Sequence, residues 1–395
     1  MKPVLPALLC TLMLPTAAAA ATPAAKPDFD ALARRVVRNA AISEGEVVFI
    51  SGQAHDAEFL EDLAVAVRAV GAFPLLEHGS DRLNRRLFFD VPAKYDAQEN
   101  ALGLKLAQLI DVDIMLADGL AEDAMAGADP RRVAARGKAG EQVSNAFLEH
   151  GVRFVEIGNG FYPTPWRARR YGMSEAALAK AFWDSVATDG AALRAHAEKL
   201  ESKLSQGEEL HITNPNGTDL RVRVAGRRLL DSDGVVSPQE LAAGGAAANT
   251  YLPAGEVYFA PEPGSANGLV VHTRDFFRGK QVSNLRLEFR AGKLVSMRGE
   301  GPGYADLRAA YDAVEDARKD EFSFVDFGLN PSLKLPPGSR VGAWVPAGMV
   351  SVGMGANTWA DGDNTVAWGL TAYLPGSTVT LDDDVVLVER GQTKF

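Results

Sequence analysis

The chain has 395 residues, too many for one small core and suited to two domains. Its hydrophobic content of 47% and charged content of 23% are those of an ordinary soluble globular protein. The formal net charge of −10 argues against a nucleic-acid partner, because a phosphate backbone requires a basic surface.

Residues 1–21 have the pattern of a secretory signal peptide. Lys2 precedes the apolar segment VLPALLCTLML, which is too short to span a bilayer as a helix, and alanine-rich cleavage sites follow it. We expect cleavage near Ala20 or Ala21 and a periplasmic or secreted mature protein without membrane contact. Lipid attachment at Cys10 is the alternative, but Leu9 is larger than the residue that a lipobox has before its cysteine. Because Cys10 is the only cysteine, we expect no disulfide and no thiolate metal ligand after cleavage.

From Asp28 onward, helical spacing alternates with short buried strands. GEVVFISG and FPLLEH are predicted strands, and the amphipathic segment AEFLEDLAVAVRAVG lies between them. The same helix-then-strand order recurs in LAQLIDVDIMLADG and LEHGVRFVEIGNG. A long helical segment at 174–207 has a predicted break near Asp189. The pattern predicts an N-terminal α/β domain over residues 22–205 with a mainly parallel sheet.

The chain changes character near residue 205. The segment EELHITNPNGTDLRVRVAGR alternates with period two on both sides of a turn, which predicts a β-hairpin. Further strand-like segments follow, interrupted by the helical YADLRAAYDAVEDARKDE, and the segments ADGDN at 360–364 and DDD at 382–384 are predicted turns. Residues 206–395 are therefore predicted to form a β-rich α+β C-terminal domain.

Generic catalytic signatures are absent from the sequence. There is no H-E-x-x-H, no G-x-S-x-G, no phosphate-binding glycine loop and no dinucleotide fingerprint. The six histidines are scattered along the chain, without a pair at ligand spacing. The sequence alone therefore assigns no catalytic residue.

Several segments together resemble the aminopeptidase T / aminopeptidase S family of two-metal exopeptidases. The sharpest are NPNGTDLRVRVAGR, the Asp/Gly step at 231–234 and NTYLPAGEVYFAP; the segments at 162–189 and the closing TVTLDDDVVLVERGQ also match. The resemblance implies a two-domain fold that carries the metal site in its C-terminal domain. It also implies a divalent metal (zinc, cobalt or manganese), a peptide or other small-molecule ligand, and a homodimer.

The resemblance identifies Glu256, in the step Pro-Ala-Gly-Glu, with a glutamate that ligates metal in this family. For the second glutamate of the family, Glu321 is the natural candidate. An alignment without gaps on the downstream GLNP places Phe324 there instead. Both alternatives remain open at the level of sequence.

The other three family ligands, two histidines and an aspartate, have no counterpart in this chain. Ser351, Ala367 and Gly369 stand at their positions, and Trp368 lies between the last two. A hydrolytic zinc or cobalt site needs about three protein ligands per ion to bind tightly and to lower the pKa of bound water to near neutrality. Glutamates without an imidazole do not meet that requirement.

Two functional hypotheses follow from these residues. In the first, the protein is an active, exported metallo-aminopeptidase whose site is rebuilt around Glu256. In the second, it binds a ligand on the peptidase scaffold without the two-metal mechanism, and we favour this hypothesis. His272 is one candidate replacement for the lost ligands. The pair Asp361 and Asp363 is another, and these two carboxylates would form an oxygen-only site that favours magnesium, calcium or manganese. Candidate aromatic residues of an apolar pocket are Trp344, Trp359, Trp368 and Tyr258.

Overall fold

A computed structural model describes residues 27–336, 339 and 341–395. The predicted signal peptide at 1–21, with Cys10, lies outside these residues. In the part of the chain that is described, no helix has the length and apolarity needed to cross a bilayer.

The α-helices lie mainly in the first half of the chain. Their bounds are α1 (Phe29–Asn39), α2 (Ala57–Ala69), α3 (Asp81–Phe89), α4 (Ala101–Ala107), α5 (Pro130–His150), α6 (Pro165–Tyr171), α7 (Glu175–Val186), α8 (Gly190–Leu204), α9 (Pro238–Ala243) and α10 (Tyr304–Ala313). Local capping sets many of these boundaries: the side chains of Ser174 and Asp189 accept hydrogen bonds from backbone amides in the first turns of α7 and α8. The predicted break near Asp189 is thus confirmed.

The strands fall into three sheets. Their bounds are β1 (Val47–Gln53), β2 (Phe73–Gly79), β3 (Val112–Leu116), β4 (Arg153–Ile157), β5 (Glu209–Asn214), β6 (Thr218–Arg223), β7 (Leu230–Ser232), β8 (Thr250–Leu252), β9 (Glu256–Phe259), β10 (Asn267–Phe277), β11 (Lys280–Arg290), β12 (Lys293–Glu300), β13 (Phe322–Gly328), β14 (Val350–Gly355), β15 (Gly369–Tyr373), β16 (Thr378–Leu381), β17 (Val385–Glu389) and β18 (Gln392–Thr393).

The first sheet is parallel, as the alternating pattern predicts. Its strand order is β2-β1-β3-β4-β8, and every pairing between neighbours is parallel. Its last strand, β8, comes from beyond residue 205, so the chain returns to the first sheet after the predicted domain boundary. The strand order reverses between β1 and β3, which is the position where ligands commonly bind in open α/β sheets.

The other two sheets are antiparallel and form the β-rich second half. One has the order β12-β11-β10-β6-β5-β16-β17-β18, and the other has the order β15-β14-β13-β9-β7. The predicted hairpins at 214–218 and 382–384 connect β5 to β6 and β16 to β17. Residues on one face of the five-stranded antiparallel sheet, such as Val257, Val325 and Val352, share a core with Leu220 and Ile212 of the larger sheet.

The opposite face of the five-stranded antiparallel sheet carries a different set of side chains. Successive side chains of a strand alternate between faces, so Glu256, Tyr258, Phe324 and Asp326 point away from the Val325 core. This face lies toward β4, β8 and α5, and the space between them is a cleft.

Candidate functional site

A cleft of about 670 Å³ lies between the parallel sheet, α5 and the five-stranded antiparallel sheet. Its volume falls in the range of small-molecule pockets, roughly 300–1,000 Å³. The lining residues are Asp113, Ser144, Phe147, Leu148, Val152, Phe154, Glu156, Asn159, Asn249, Tyr251, Glu256, Phe324, Trp344, Met354, Ala356, Thr358, Trp359, Gly369, Leu370 and Thr371. The cleft thus brings the predicted ligand Glu256 together with two of the predicted pocket aromatics, Trp344 and Trp359.

Glu256 begins β9 directly after a glycine whose backbone no other residue would adopt easily. Gly255 has φ +117°, and a Cβ placed on it would lie 2.9 Å from the backbone nitrogen of Asn330. Gly255 therefore allows the Pro-Ala-Gly-Glu segment to pack closely against the backbone at Asn330. This packing holds Glu256 at the start of β9. Glu256 is 4% exposed, and Asn159 Nδ2 donates a hydrogen bond of 2.6 Å to its Oε1 atom.

A second buried carboxyl group, Asp326, lies beside Glu256. Tyr258 pairs with Asp326, and Glu256 pairs with Gly328, so the two acidic side chains are diagonal neighbours on one face. Asp326 is 1% exposed, and neither carboxyl oxygen has a hydrogen-bond partner within the described residues. Burial raises the pKa of both carboxyl groups, and their mutual repulsion raises the pKa of Asp326 further.

Sequence analysis did not single out Asp326. The signal was present: Asp326 is the one charged residue in FSFVDFG, a segment that reads as a fully buried strand. A charge in such a strand needs a partner or a function. Asn159 was also missed, because a single asparagine in a glycine-containing loop is typical of ordinary turns.

Aromatic side chains fill the space next to the two carboxyl groups. The Phe324 ring centroid lies 4.8 Å from that of Trp359 and 5.5 Å from that of Trp344. The ring covers Gly353 on β14, where an added Cβ would come within 2.1 Å of Phe324 Cε1. Phe324, the alternative counterpart of the second family glutamate, is thus an aromatic wall of the cleft.

The residues at the three missing ligand positions contribute little polar chemistry. Ser351 is fully buried opposite Asp326 in the β13–β14 pairing, and its Oγ atom has no partner among the described residues. Gly369 lines the cleft at the start of β15. Ala367 lies against α5, where its backbone nitrogen donates a hydrogen bond of 2.8 Å to Glu141. Trp368 is not among the lining residues; its ring lies 5.9 Å from that of Tyr311, against the core of the larger antiparallel sheet.

Glu321 lies far from Glu256. It precedes β13 and accepts a hydrogen bond of 3.0 Å from Asn364 Nδ2. Glu256 pairs with Gly328 at the other end of β13, seven residues from Glu321. At about 3.3 Å per residue, this separates the two glutamates by roughly 20 Å. The structure therefore does not bring these two predicted ligands together.

The other candidate ligands also lie outside the cleft lining. Asp361 and Asp363 are exposed, and Asp361 contacts Arg228 at 3.3 Å. His272 is buried on β10, where burial lowers its pKa and its ring lies 6.1 Å from that of Tyr373. Tyr373 pairs with Ser351, in the cross-strand row that also includes Asp326. Tyr258 is fully buried in that row, beside the cleft.

A group of possible metal ligands does occur elsewhere, at the order reversal of the parallel sheet. His55 and Asp56 follow β1 and Asp118 follows β3, and their ligand atoms lie within 4.8 Å of one another. Tyr162 donates a hydrogen bond of 2.8 Å to Asp56. Burial raises the pKa of Asp118 to about 6. Among the described residues, this is the one group of three or more His, Cys, Asp or Glu whose ligand atoms lie this close together.

Comparison with known proteins places the chain in a family. The model of the thermophilic metalloprotease (M29) family matches residues 26–326. The chain belongs to this family. In structure, the M29 chain is similar to wild-type AmpT from Thermus thermophilus, with a TM-score of 0.69, 19% identity, and coverage of 93% of this chain and 99% of that one. It is also similar to 2,5-dihydroxypyridine dioxygenase from Pseudomonas putida KT2440, with a TM-score of 0.55, 16% identity and coverage of 93% and 96%. A search of curated proteins returned no match.

The donor set around Glu256 does not fit the two-metal centre that the resemblance implies. No histidine lines the cleft within the described part of the chain, and Asn159 already engages one oxygen of Glu256. Ser351 and Gly369 supply no anionic or imidazole ligand, and Phe324 supplies an aromatic ring. Two hydrolytic ions share at least five or six protein ligands. The carboxyl groups at the cleft are Asp113, Glu156, Glu256 and the neighbouring Asp326, and among the described residues no three of them lie within ligand distance of one another.

Proposed function

We propose that this M29 protein binds a small molecule or peptide in its cleft and has no two-metal peptidase mechanism. One observation carries the proposal: Glu256 lines the cleft beside aromatic rings, and no imidazole lines it over the described residues. A site of this composition keeps the shape of a ligand pocket but cannot hold zinc in the usual nitrogen-rich coordination.

The range of proteins with this architecture supports the proposal. One similar structure carries the name of a dioxygenase and not of a peptidase. The fold alone therefore does not require peptide hydrolysis, and function has to be argued from the residues of the cleft.

A second candidate function is a metal-dependent aminopeptidase with a site rebuilt around Glu256. Asp326 favours it, because its two unpartnered oxygens lie next to Glu256 and are ligands that hard divalent cations prefer. Such a site would take manganese or magnesium in preference to zinc, and it would release N-terminal residues from peptides.

Metal analysis combined with an activity assay tests the two candidates. Bound metal is measured by mass spectrometry on the mature, tag-free protein, and leucine p-nitroanilide hydrolysis is assayed with added zinc, cobalt and manganese. We expect no metal-dependent turnover. Stoichiometric metal and turnover that are both lost in Glu256→Gln would overturn the proposal in favour of the aminopeptidase.

The matched variant Asp118→Asn identifies any metal held by the group near His55. Metal that disappears in Asp118→Asn and persists in Glu256→Gln belongs to the end of the parallel sheet and leaves the proposal for the cleft intact.

We also propose that the mature protein is exported and forms a homodimer. Export is supported by the signal-peptide pattern of residues 1–21, and the dimer is supported by the resemblance to the aminopeptidase T group. Cell fractionation with N-terminal sequencing tests the first proposal, and light scattering of the purified mature protein tests the second.

A further inference from the structure

The cleft combines acidic side chains with a corner of aromatic rings. From this combination we propose that its ligand is an organic ammonium ion with an apolar or aromatic body. The inference rests on the proposed binding function and adds to it the chemical class of the ligand.

The ionisable carboxyl side chains of the lining are not balanced by any basic residue. Asp113 on β3, Glu156 on β4 and Glu256 on β9 face the cleft, and no Lys, Arg or His lines it within the described part of the chain. Glu156 interacts with Arg167, which lies outside the lining and offsets part of its charge. Glu77 lies near Asp113 and adds a further negative charge. Burial raises the pKa of Glu256 to about 8, so Asp113 and Glu156 supply the negative charge that attracts cations and repels anions at neutral pH.

The carboxyl groups also have unused capacity to accept hydrogen bonds. The Oδ1 atom of Asp113 is buried and has no partner among the described residues. Glu256 receives a side-chain hydrogen bond from Asn159 on one oxygen. An ammonium group offers up to three N–H donors, and charge-assisted hydrogen bonds to carboxylates are among the strongest in proteins.

Four rings form the aromatic corner: Tyr251, Phe324, Trp344 and Trp359. The ring of Trp359 is nearly perpendicular to those of Trp344 and Tyr251, at 78° and 80°, with centroid distances of 5.9 and 6.4 Å. Perpendicular rings present both π faces and edges to a shared space. A cation within about 6 Å of such faces is attracted by the ring quadrupoles, and an apolar body gains from burial against them.

An anionic or neutral ligand fits these observations less well. An anionic ligand would meet three acidic groups with no cation in the lining to receive it. A neutral apolar ligand would leave buried carboxyl groups facing hydrocarbon, which is costly. An ammonium head with an apolar body satisfies both parts of the lining at once.

Three ligands that differ only in the head group test the inference: 4-phenylbutylamine, 4-phenylbutan-1-ol and 4-phenylbutyrate. Their binding to the mature, metal-free protein is measured by calorimetry and tryptophan fluorescence. We expect the amine to bind at least tenfold more tightly than the alcohol, with no measurable binding of the acid. Equal affinity for amine and alcohol, or preference for the acid, would overturn the inference.

Single substitutions then localise the binding. Glu156→Gln and Asp113→Asn are each expected to weaken amine binding about tenfold, and Trp359→Leu about threefold or more. Glu61→Gln removes an exposed carboxylate on α2 and is expected to leave the affinity unchanged. Amine binding that survives all three cleft substitutions would overturn the inference.

The failure of this inference can be told apart from the failure of the proposed function. The head-group comparison is made on wild-type protein, so it does not depend on a variant that folds. If metal-dependent peptide hydrolysis is found, the proposed function fails. If no metal-dependent turnover is found and the amine binds no more tightly than the alcohol, this inference alone fails.

Discussion

Glu256 and Asp326 lie on adjacent strands, on one face of the sheet, and no basic side chain of the described residues offsets their charge. Two buried carboxyl groups in this arrangement cannot both ionise at low cost, so Asp326 is expected to keep its proton at neutral pH. Asp96 offers a contrast, since its side chain is also largely shielded from solvent but contacts Arg132 at 2.5 Å and Arg136 at 2.6 Å.

The same substitution at these two aspartates should have different effects on stability. Asp326→Asn replaces one neutral group with another of the same shape, so the midpoint of urea unfolding at pH 7 should change by an amount equivalent to about 1 kcal/mol or less. Asp96→Asn leaves two arginines without their anion and should cost about 3 kcal/mol. An equal, large loss in both variants would mean that Asp326 is ionised and has a cation as its partner.

Asp96 should also make the stability of the protein sensitive to acid. Hydrogen bonding to Arg132 and Arg136 lowers the pKa of Asp96 to about 2, below its ordinary value of 3.8. Because the folded-state pKa is the lower one, the stabilisation is fully present above about pH 4 and is lost as the pH falls toward 2. Thermal unfolding of wild type and Asp96→Asn between pH 2 and 6 measures it. A difference between the two melting temperatures that is independent of pH would contradict this assignment.

Gly255, directly before β9, is expected to tolerate no side chain. Gly255→Ala would force a Cβ to within 2.9 Å of the Asn330 backbone and would strain the backbone at φ +117°. We expect a loss of about 3 kcal/mol or more, with weaker ligand binding because Glu256 follows directly. Gly127→Ala is the matched control: its φ is +81° and its added Cβ meets no atom within 4 Å, so it should cost only about 1 kcal/mol. Similar losses of unfolding free energy in both variants would show that backbone strain alone, and not the contact with Asn330, destabilises Gly255→Ala.

The fold was largely predictable from sequence, since it follows from local patterns. The alternation of helix and strand before residue 205 predicts the parallel sheet, and period-two segments after it predict the hairpins. The return of β8 to the first sheet has no local signal, because Thr250–Leu252 is too short to specify its partner. Pairing between distant strands depends on tertiary contacts that periodicity does not encode.

The site was predictable only in part. Glu256 was found through a motif, whereas Asp326 and Asn159 became significant only when the sheet register brought them next to it. Glu321 was proposed from its position after a helix, yet the residue on the cleft face is Phe324. Periodicity along β13 indicates which residues share a face, but not which face borders the cleft.

Phe324 and Gly353 provide a double-mutant test of how the aromatic wall is built. The Phe324 ring occupies the volume that a Cβ on Gly353 would need, with 2.1 Å between the added carbon and Cε1. Phe324→Ala should cost about 3–5 kcal/mol through the cavity it leaves, and Gly353→Ala about 1–3 kcal/mol through overpacking. In the double variant the alanine at 353 enters the space that the ring vacates, so the total cost should be smaller than the sum of the two.

Chemical denaturation of the four proteins gives the coupling free energy between the two sites. If the free-energy losses of the two single variants simply add, the Phe324 ring moves aside for the new Cβ without a penalty and does not define the wall. Amine affinity measured on the same proteins extends the test to the cleft. Phe324→Ala should weaken binding because a ring of the aromatic corner is lost, and the double variant should not regain it, since alanine at 353 restores packing but no π face.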